Sequence, residues 1–165
     1  MKTAIVSGAT GNLGKAVIQK FITEGFRVMG TILPGEPVRS DLPADQFEAV
    51  ELDLLNEEQS DMLIRDMVQK YERIDAAILT VGGFATGKIE ETNAVGAKPG
   101  IQSSFSKGMV AYGLAKSLIF RLAELLNDEA AGSAVSALVI VPGTIDTPQN
   151  RMAMPGTDFT KWKTP

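Results

Sequence analysis

Two groups of residues in this chain could do chemistry by their types and spacing. Tyr112 and Lys116 stand four apart within an apolar-periodic stretch, 108–126, so both side chains lie on one helix face, one turn from each other. An ammonium beside a phenol favours the phenolate and lowers the tyrosine pKa from ~10 toward neutrality, which makes a usable acid and base. The same spacing also suits an ordinary surface pair. The second group is the string Ser7-Gly-Ala-Thr-Gly-Asn-Leu-Gly14, which follows an apolar run and opens a helical pattern. Gly8, Gly11 and Gly14 allow positive φ, leave room for a phosphate near the backbone and let a helix pack closely on a strand. Thr10, Asn12 and Leu13 complete this candidate phosphate turn, and the helix behind it offers unpaired N–H groups and a positive dipole end to a pyrophosphate. A plain tight strand-to-helix turn has a similar composition.

Composition narrows what these residues could serve. A chain of 165 residues with 44% apolar content is the length of one domain and can bury one core. Its 16 Lys and Arg against 20 Asp and Glu leave no broad basic face for a nucleic-acid backbone, so no nucleic-acid partner is expected. There is no cysteine, hence no disulfide framework and no thiolate nucleophile or ligand. There is also no histidine, which excludes a Ser-His-Asp triad, a histidine base and nearly every catalytic zinc arrangement. Tyr, Lys, Asp and Glu remain as proton-transfer groups, and no metal site is expected. No apolar run approaches ~20 residues and no signal-peptide pattern precedes the first strand, so the expectation is a soluble, cytoplasmic chain without a membrane partner.

The elements that must hold these residues follow from periodicity. A strand at 3–6, the glycine turn, a helix at 15–23 (Ala16, Val17, Ile18, Phe21, Ile22) stopped by Gly25, and a strand at 26–32 make a βαβ unit. Residues 34–43 read as a loop with at most one weak helical turn, and a short strand at 48–52 ends at Asp53. Asn56 caps a helix running to about 72, with Met62, Leu63, Met67, Val68 and Tyr71 as its apolar set. An apolar strand at 76–81 then ends at Gly82-Gly83-Phe84. Continuous apolar strands alternating with amphipathic helices predict a parallel sheet covered on both faces. Between 84 and 107 no clear strand or long helix is read, an unusual length for a compact domain. The helix at 108–126, a strand at 135–141 and the turn Pro142-Gly143-Thr144-Ile145-Asp146-Thr147 follow, and the tail ends at Pro165 without a closing strand.

Five landmarks now stand in one order: the glycine turn, Asp53-Leu54 after the third strand, Gly82-Gly83 after the fourth, Tyr112-Gly-Leu-Ala-Lys116, and Pro142-Gly143 followed by Thr147. Over nearly its whole length the chain resembles the short-chain dehydrogenase/reductase family. The resemblance implies an α/β, Rossmann-like doubly wound parallel sheet with helices on both faces, as a single domain over 1–165. It implies an NAD(P)H-dependent oxidoreductase that transfers a hydride to a carbonyl or imine-like small molecule. Asp53 and Leu54 would lie near the adenine, Gly82 and Gly83 near its ribose, and Pro142, Gly143, Ile145 and Thr147 near the nicotinamide. Tyr112 would exchange a proton with the substrate, while Lys116 would hold the nicotinamide ribose and tune Tyr112. A homodimer or homotetramer is implied, because the Tyr112 helix commonly forms a subunit interface in this family. The alternative is a non-catalytic dinucleotide-binding protein of the same fold.

An acid at the end of the second strand would favour NAD, and a base there NADP. Thr31 and Ile32 occupy that end with no acid and no adjacent arginine, and Arg39 lies further on, so the reading is NADP or NAD with a lean to NADP. A narrower likeness to dihydropteridine-reductase-like members rests on Val81-Gly-Gly-Phe84, Gly96-Ala-Lys-Pro99, Tyr112 to Lys116, Met154-Pro155, Asp158-Phe159 and Trp162. Ala97 stands where most of the wider family has a substrate-binding serine; Ser103, Ser104 and Ser106 are out of register and read as loop serines, which leaves substrate polarisation to Tyr112. The span from Gly83 to Tyr112 is short for the family. By comparison with the family about forty residues, a crossover helix and strand, are missing between Ala94 and Val95, and a closing strand after Pro165; the expectation is that they belong to the protein, and the alternative is a chain that lacks them.

Overall fold

A computed structural model describes residues 1–37, 41–82 and 110–165. Its elements are β1 (Lys2–Ser7), α1 (Asn12–Thr23), β2 (Phe26–Ile32), β3 (Phe47–Glu51), α2 (Glu57–Tyr71), β4 (Ala76–Leu79), α3 (Val110–Glu129), α4 (Pro148–Ala153) and a 3-10 turn, Phe159–Lys161. Contacts divide the chain into two compact units, 1–81 with 145–165, and 82–144. The expected irregular stretch 84–107, including the junction of Ala94 and Val95, lies outside the described residues.

In the first unit four strands pair in parallel, in the order β3-β2-β1-β4. Side chains alternate across a strand, so adjacent apolar residues serve opposite faces. Val6 and Val28 join Ile18 and Ile22 of α1 on one face, while Ile5 and Met29 join Leu63 and Met67 of α2 on the other. This is the predicted doubly covered parallel sheet. Ile18, Val6, Val28 and Met67 are fully buried, each contributing about 1.5–3 kcal/mol by removal from water.

The element boundaries differ from expectation for local reasons. α1 begins at Asn12 rather than 15, because Lys15 N–H already donates to Gly11 C=O at 2.9 Å and closes the first turn. Asn56 caps α2 as expected, its Oδ1 accepting from Gln59 N–H at 3.1 Å, and Glu72 ends the helix at φ 67°. Met62 and Val68 were expected on the buried stripe but face outward, at 56% and 46% exposure. Leu63 and Met67, one turn apart, take the sheet-facing line, and the flanking residues are rotated by about 100° away from it.

Two strand expectations are corrected more deeply. The strand at 76–81 ends at Leu79, and its burial alternates instead of being continuous, with Leu79 81% exposed. β4 is the edge of the described sheet, and an edge strand has one neighbour only. In the second unit the expected strand 135–141 is not a strand, since no described residue pairs with it, and an apolar run becomes β-structure only when another strand takes its N–H and C=O groups. Asn127 of α3 substitutes at one point: its amide accepts from Ala137 N–H at 2.7 Å and donates to Ala137 C=O at 2.9 Å. Leu138 and Ile140 are left exposed, as are Leu114, Leu118, Leu122 and Leu125 of α3.

Asp75 joins β1 to β4 where the two strands begin. Its N–H donates to Thr3 C=O and its Oδ2 accepts from Thr3 N–H, both at 2.8 Å, while Oδ1 meets Arg73 at 2.6 Å. The Thr3 N–H, aided by Arg73 and opposed by burial, holds the Asp75 carboxyl below the usual carboxylate range. Its folded pKa is therefore below the unfolded one, and its stabilisation is present above the unfolded value and lost as pH falls through the folded value. Asp75→Asn is expected to flatten the acid limb of stability against pH in urea melts from neutrality to about pH 2.5. Parallel curves for variant and wild type would deny the link a role.

Candidate functional site

The glycine turn lies at the carboxyl end of β1, where the strand order reverses direction. β1 leads through α1 to β2 on one side, whereas β3 leads through α2 to β4 on the other, so the crevice between β1 and β4 is a topological switch point. Three side-chain and backbone links close that end. Thr80 Oγ1 donates to Ser7 C=O at 2.5 Å, Thr80 N–H donates to Ser7 Oγ at 3.0 Å, and Ala9 N–H donates to Thr31 C=O at 2.9 Å.

Gly8 turns the chain with φ +70°, and a Cβ on Gly14 would sit 2.1 Å from the Gly8 carbonyl oxygen. The backbone of α1 thus rests on the turn with no room for a side chain. No side chain caps α1, which starts from Gly11, so its first N–H groups are left without a capping acceptor. Such a cradle fits a pyrophosphate. Thr10 lies in this turn, and Asn12 and Leu13 begin α1.

The remaining candidates of the first unit divide by what engages them. Thr31 is buried beneath the turn, its Oγ1 accepting from Gly8 N–H at 3.3 Å, so it supports the turn rather than lining its surface. Asp53 is exposed and its Oδ1 accepts from Leu55 N–H at 2.9 Å, shaping the start of α2; Leu54 beside it is 40% exposed. Thr147 caps α4 by accepting from Asn150 N–H at 3.2 Å, and Ile145 makes a parallel bridge to Lys163. Arg151 grips Asp146 through two bonds of 2.6 and 2.7 Å, organising the tail that follows Ile145. Asn12 Nδ2 donates to Gln149 Oε1 at 2.8 Å, which ties α4 to the start of α1. The glycine turn and the segment after Ile145 are thereby brought together.

Sequence reasoning missed Gln149 and Glu36. Glu36 Oε2 accepts from Thr10 Oγ1 at 2.7 Å and from Leu33 N–H at 3.2 Å. A signal for it was present, since Leu33-Pro34-Gly35-Glu36 is the composition of a type II turn that folds its fourth residue back. No local pattern marks Gln149.

In the second unit, α3 brings Tyr112 and Lys116 together as their spacing predicts, with Lys116 Nζ 5.4 Å from the centre of the Tyr112 ring. Lys116 is buried, 5% exposed. The expected lowering of the tyrosine pKa is not found. Burial pushes the Tyr112 phenol up and the Lys116 ammonium down. The ammonium lies over the ring face, where it meets the π-system, and desolvation disfavours both charged forms. Gly82, Pro142 and Gly143 are exposed in this unit; Gly83, Ala97, Arg39 and the serines at 103, 104 and 106 lie outside the described residues. Among the described residues no cluster of three or more acidic side chains could hold a metal ion, and no helix is long and apolar enough to cross a membrane.

The short chain dehydrogenase family model matches residues 2–98, more than half of the chain and including the sheet and its glycine turn. The chain belongs to that family. It is similar to the acetoacetyl-CoA reductase of Acinetobacter sp. (strain RA3849), with 26% identity over 88 residues, 49% of this chain and 36% of that protein. It is also similar to the ipsdienol dehydrogenase of Ips pini, with 29% identity over 83 residues, 50% of this chain and 32% of that protein. The chain thus spans 36% and 32% of these curated relatives. Among solved structures, a short-chain dehydrogenase from Streptomyces avermitilis superposes with a TM-score of 0.77 at 23% identity, covering 90% of this chain and 68% of that one. ElxO, solved with NADP bound, superposes with a TM-score of 0.81 at 19% identity, covering 93% of this chain and 78% of that one. These likenesses establish the Rossmann-like fold of this family member.

Gly14→Ala is expected to destabilise the chain by about 1–3 kcal/mol or more, because its Cβ would overlap backbone rather than a movable side chain. Gly143→Ala, with nothing within 4 Å of the added carbon, should change little. Thermal melts of both compare the two directly, and equal melting temperatures would contradict the close approach of α1.

Proposed function

We propose that this chain is the nucleotide-binding and catalytic part of an NAD(P)-dependent oxidoreductase, reducing a carbonyl or imine-like carbon with Tyr112 as proton donor. The observation that carries the reading is the buried Lys116 ammonium held against Tyr112 on α3, in a chain whose β1–α1 turn fits a pyrophosphate. The family membership, the oxidoreductase names of its relatives and the NADP-bound neighbour support it.

On this reading the N–H groups at the start of α1, with Gly8 and Gly11, hold the pyrophosphate, and Asn12 with Gln149 keeps α4 beside it. Thr31 keeps the turn in shape from below, Asp53, Leu54, Gly82 and Gly83 serve the adenosine half, and Pro142, Gly143, Ile145 and Thr147 serve the nicotinamide half. A bound reduced nicotinamide supplies the hydride. Tyr112 supplies the proton: as the substrate carbon gains the hydride, its oxygen or nitrogen takes the proton from Tyr112 Oη, and solvent restores the phenol. Tyr112 carries its proton at neutral pH, as an ordinary phenol does, and burial raises its pKa further. The Lys116 charge offsets the phenolate that forms, and Lys116 would also bind the nicotinamide ribose. The substrate is a small molecule of carbonyl or pterin-like type, and the exposed leucines of α3 support a homodimer or homotetramer.

A second reading, a dinucleotide-binding protein without catalysis, is favoured by one observation: the family match stops at residue 98, before Tyr112. Tyr112→Phe separates the two. We expect it to abolish oxidation of NADH or NADPH across a panel of quinoid pterins, ketones and aldehydes while changing dinucleotide affinity less than about twofold. Equal loss of turnover and binding would make Tyr112 structural, and absence of turnover in the wild type would favour the second reading. Because burial raises the phenol pKa above its ordinary ~10, the single-turnover rate of reduction should hold from neutrality to at least about pH 10 and fall only above that, and the reverse oxidation should rise with pH.

A further inference from the structure

The carboxyl end of β2 carries no acid, yet the fold delivers one there. Leu33-Pro34-Gly35-Glu36 is closed by Glu36 N–H donating to Leu33 C=O at 3.0 Å, with Gly35 at φ +82°, which is the geometry of a type II turn. The turn sends the Glu36 side chain back over the strand end. Its Oε2 then takes two hydrogen bonds, one from Leu33 N–H just beyond β2 and one from Thr10 Oγ1 in the glycine turn. Two independent donors on two different segments hold this carboxylate between the second strand and the phosphate turn.

In a dinucleotide-binding βαβ unit the adenosine ribose lies between those two segments. A carboxylate has about four acceptor positions, and two of them are used here, leaving capacity for two more donors. We infer that Glu36 selects the cofactor: its carboxylate accepts the 2′- and 3′-hydroxyls of the adenosine ribose and excludes a 2′-phosphate, so this protein prefers NAD(H) to NADP(H). This rests on the reading of the glycine turn as a dinucleotide site. It reverses the lean drawn from Thr31 and Ile32, because the acid arrives from four residues beyond the end of β2 rather than from the strand. Thr10 is a positioning residue in this arrangement, holding the carboxylate through its hydroxyl.

The test is calorimetric titration of the full chain with NADH and NADPH, and with 5′-AMP and adenosine 2′,5′-bisphosphate as probes of the adenosine half alone. NADH is expected to bind at least about tenfold tighter than NADPH, since a phosphate dianion facing a fixed carboxylate is strongly disfavoured. Glu36→Gln keeps the shape and the Thr10 contact but removes the charge, and should contract the NADH to NADPH ratio by at least about fivefold, mainly by tightening NADPH. Glu36→Asp should retain the direction of preference, and Thr10→Val should contract the ratio partially. The two nucleotide fragments should follow the same order as the dinucleotides. Tighter NADPH binding in the wild type that Arg39→Ala abolishes would overturn the inference, as would a ratio unmoved by Glu36→Gln in a variant that melts like the wild type. Equal affinity for NADH and NADPH would sink the inference alone and leave the site standing. Absence of binding by either dinucleotide, in a chain that melts cooperatively, would remove the site and the inference together.

Discussion

At the carboxyl end of β1 the chain reverses into a helix whose backbone rests against the turn, with Gly14 so close to the Gly8 carbonyl that no Cβ fits between them. That approach fixes the axis of α1 relative to the strand, and with it the direction of the helix N–H groups and the line of Ile18 and Ile22 that covers one face of the sheet. The same turn is tied sideways to β2 through Thr31 and to the segment beyond β4 through Thr80, so three strand ends share one edge. The packing of α1 on the sheet and the direction of its first N–H groups are consequences of one contact. A larger residue at 14 would disturb both.

Parallel strands impose a second requirement, because each depends on neighbours brought from far away in the chain. Where those neighbours are described, the apolar runs became strands, β2 at its predicted Phe26–Ile32 and β4 shortened to Ala76–Leu79. Where no described neighbour exists, the run at 135–141 is not a strand, and Asn127 makes up only the bonds of Ala137. Hydrophobicity and β-branching therefore located this segment without determining its state. The partly bare edge of β4 has the same origin.

Electrostatics separates spacing from consequence at Tyr112 and Lys116. Their helical separation guaranteed proximity, and the ammonium does meet the ring. The sign of the tyrosine shift depended instead on burial and on which part of the ring the ammonium faces, neither of which is a property of two residues four apart. Glu36 shows the converse. It lies beyond the end of β2, and the turn at Pro34-Gly35 brings its carboxylate back to Thr10.

The sequence by itself determined the parallel α/β class, the order of elements from β1 to β4, the glycine turn and the pairing of Tyr112 with Lys116. These follow from short-range rules: strand and helix periods, the steric freedom of glycine, and the pitch of a helix. Tertiary structure decided which apolar run became a strand, which faces of α2 were covered, how burial set the charge preference of Tyr112, and that an acid from a loop reaches Thr10 in the glycine turn. Those outcomes depend on hydrogen-bond partners and desolvation supplied by residues far away in the chain, and no local pattern encodes the distance between them.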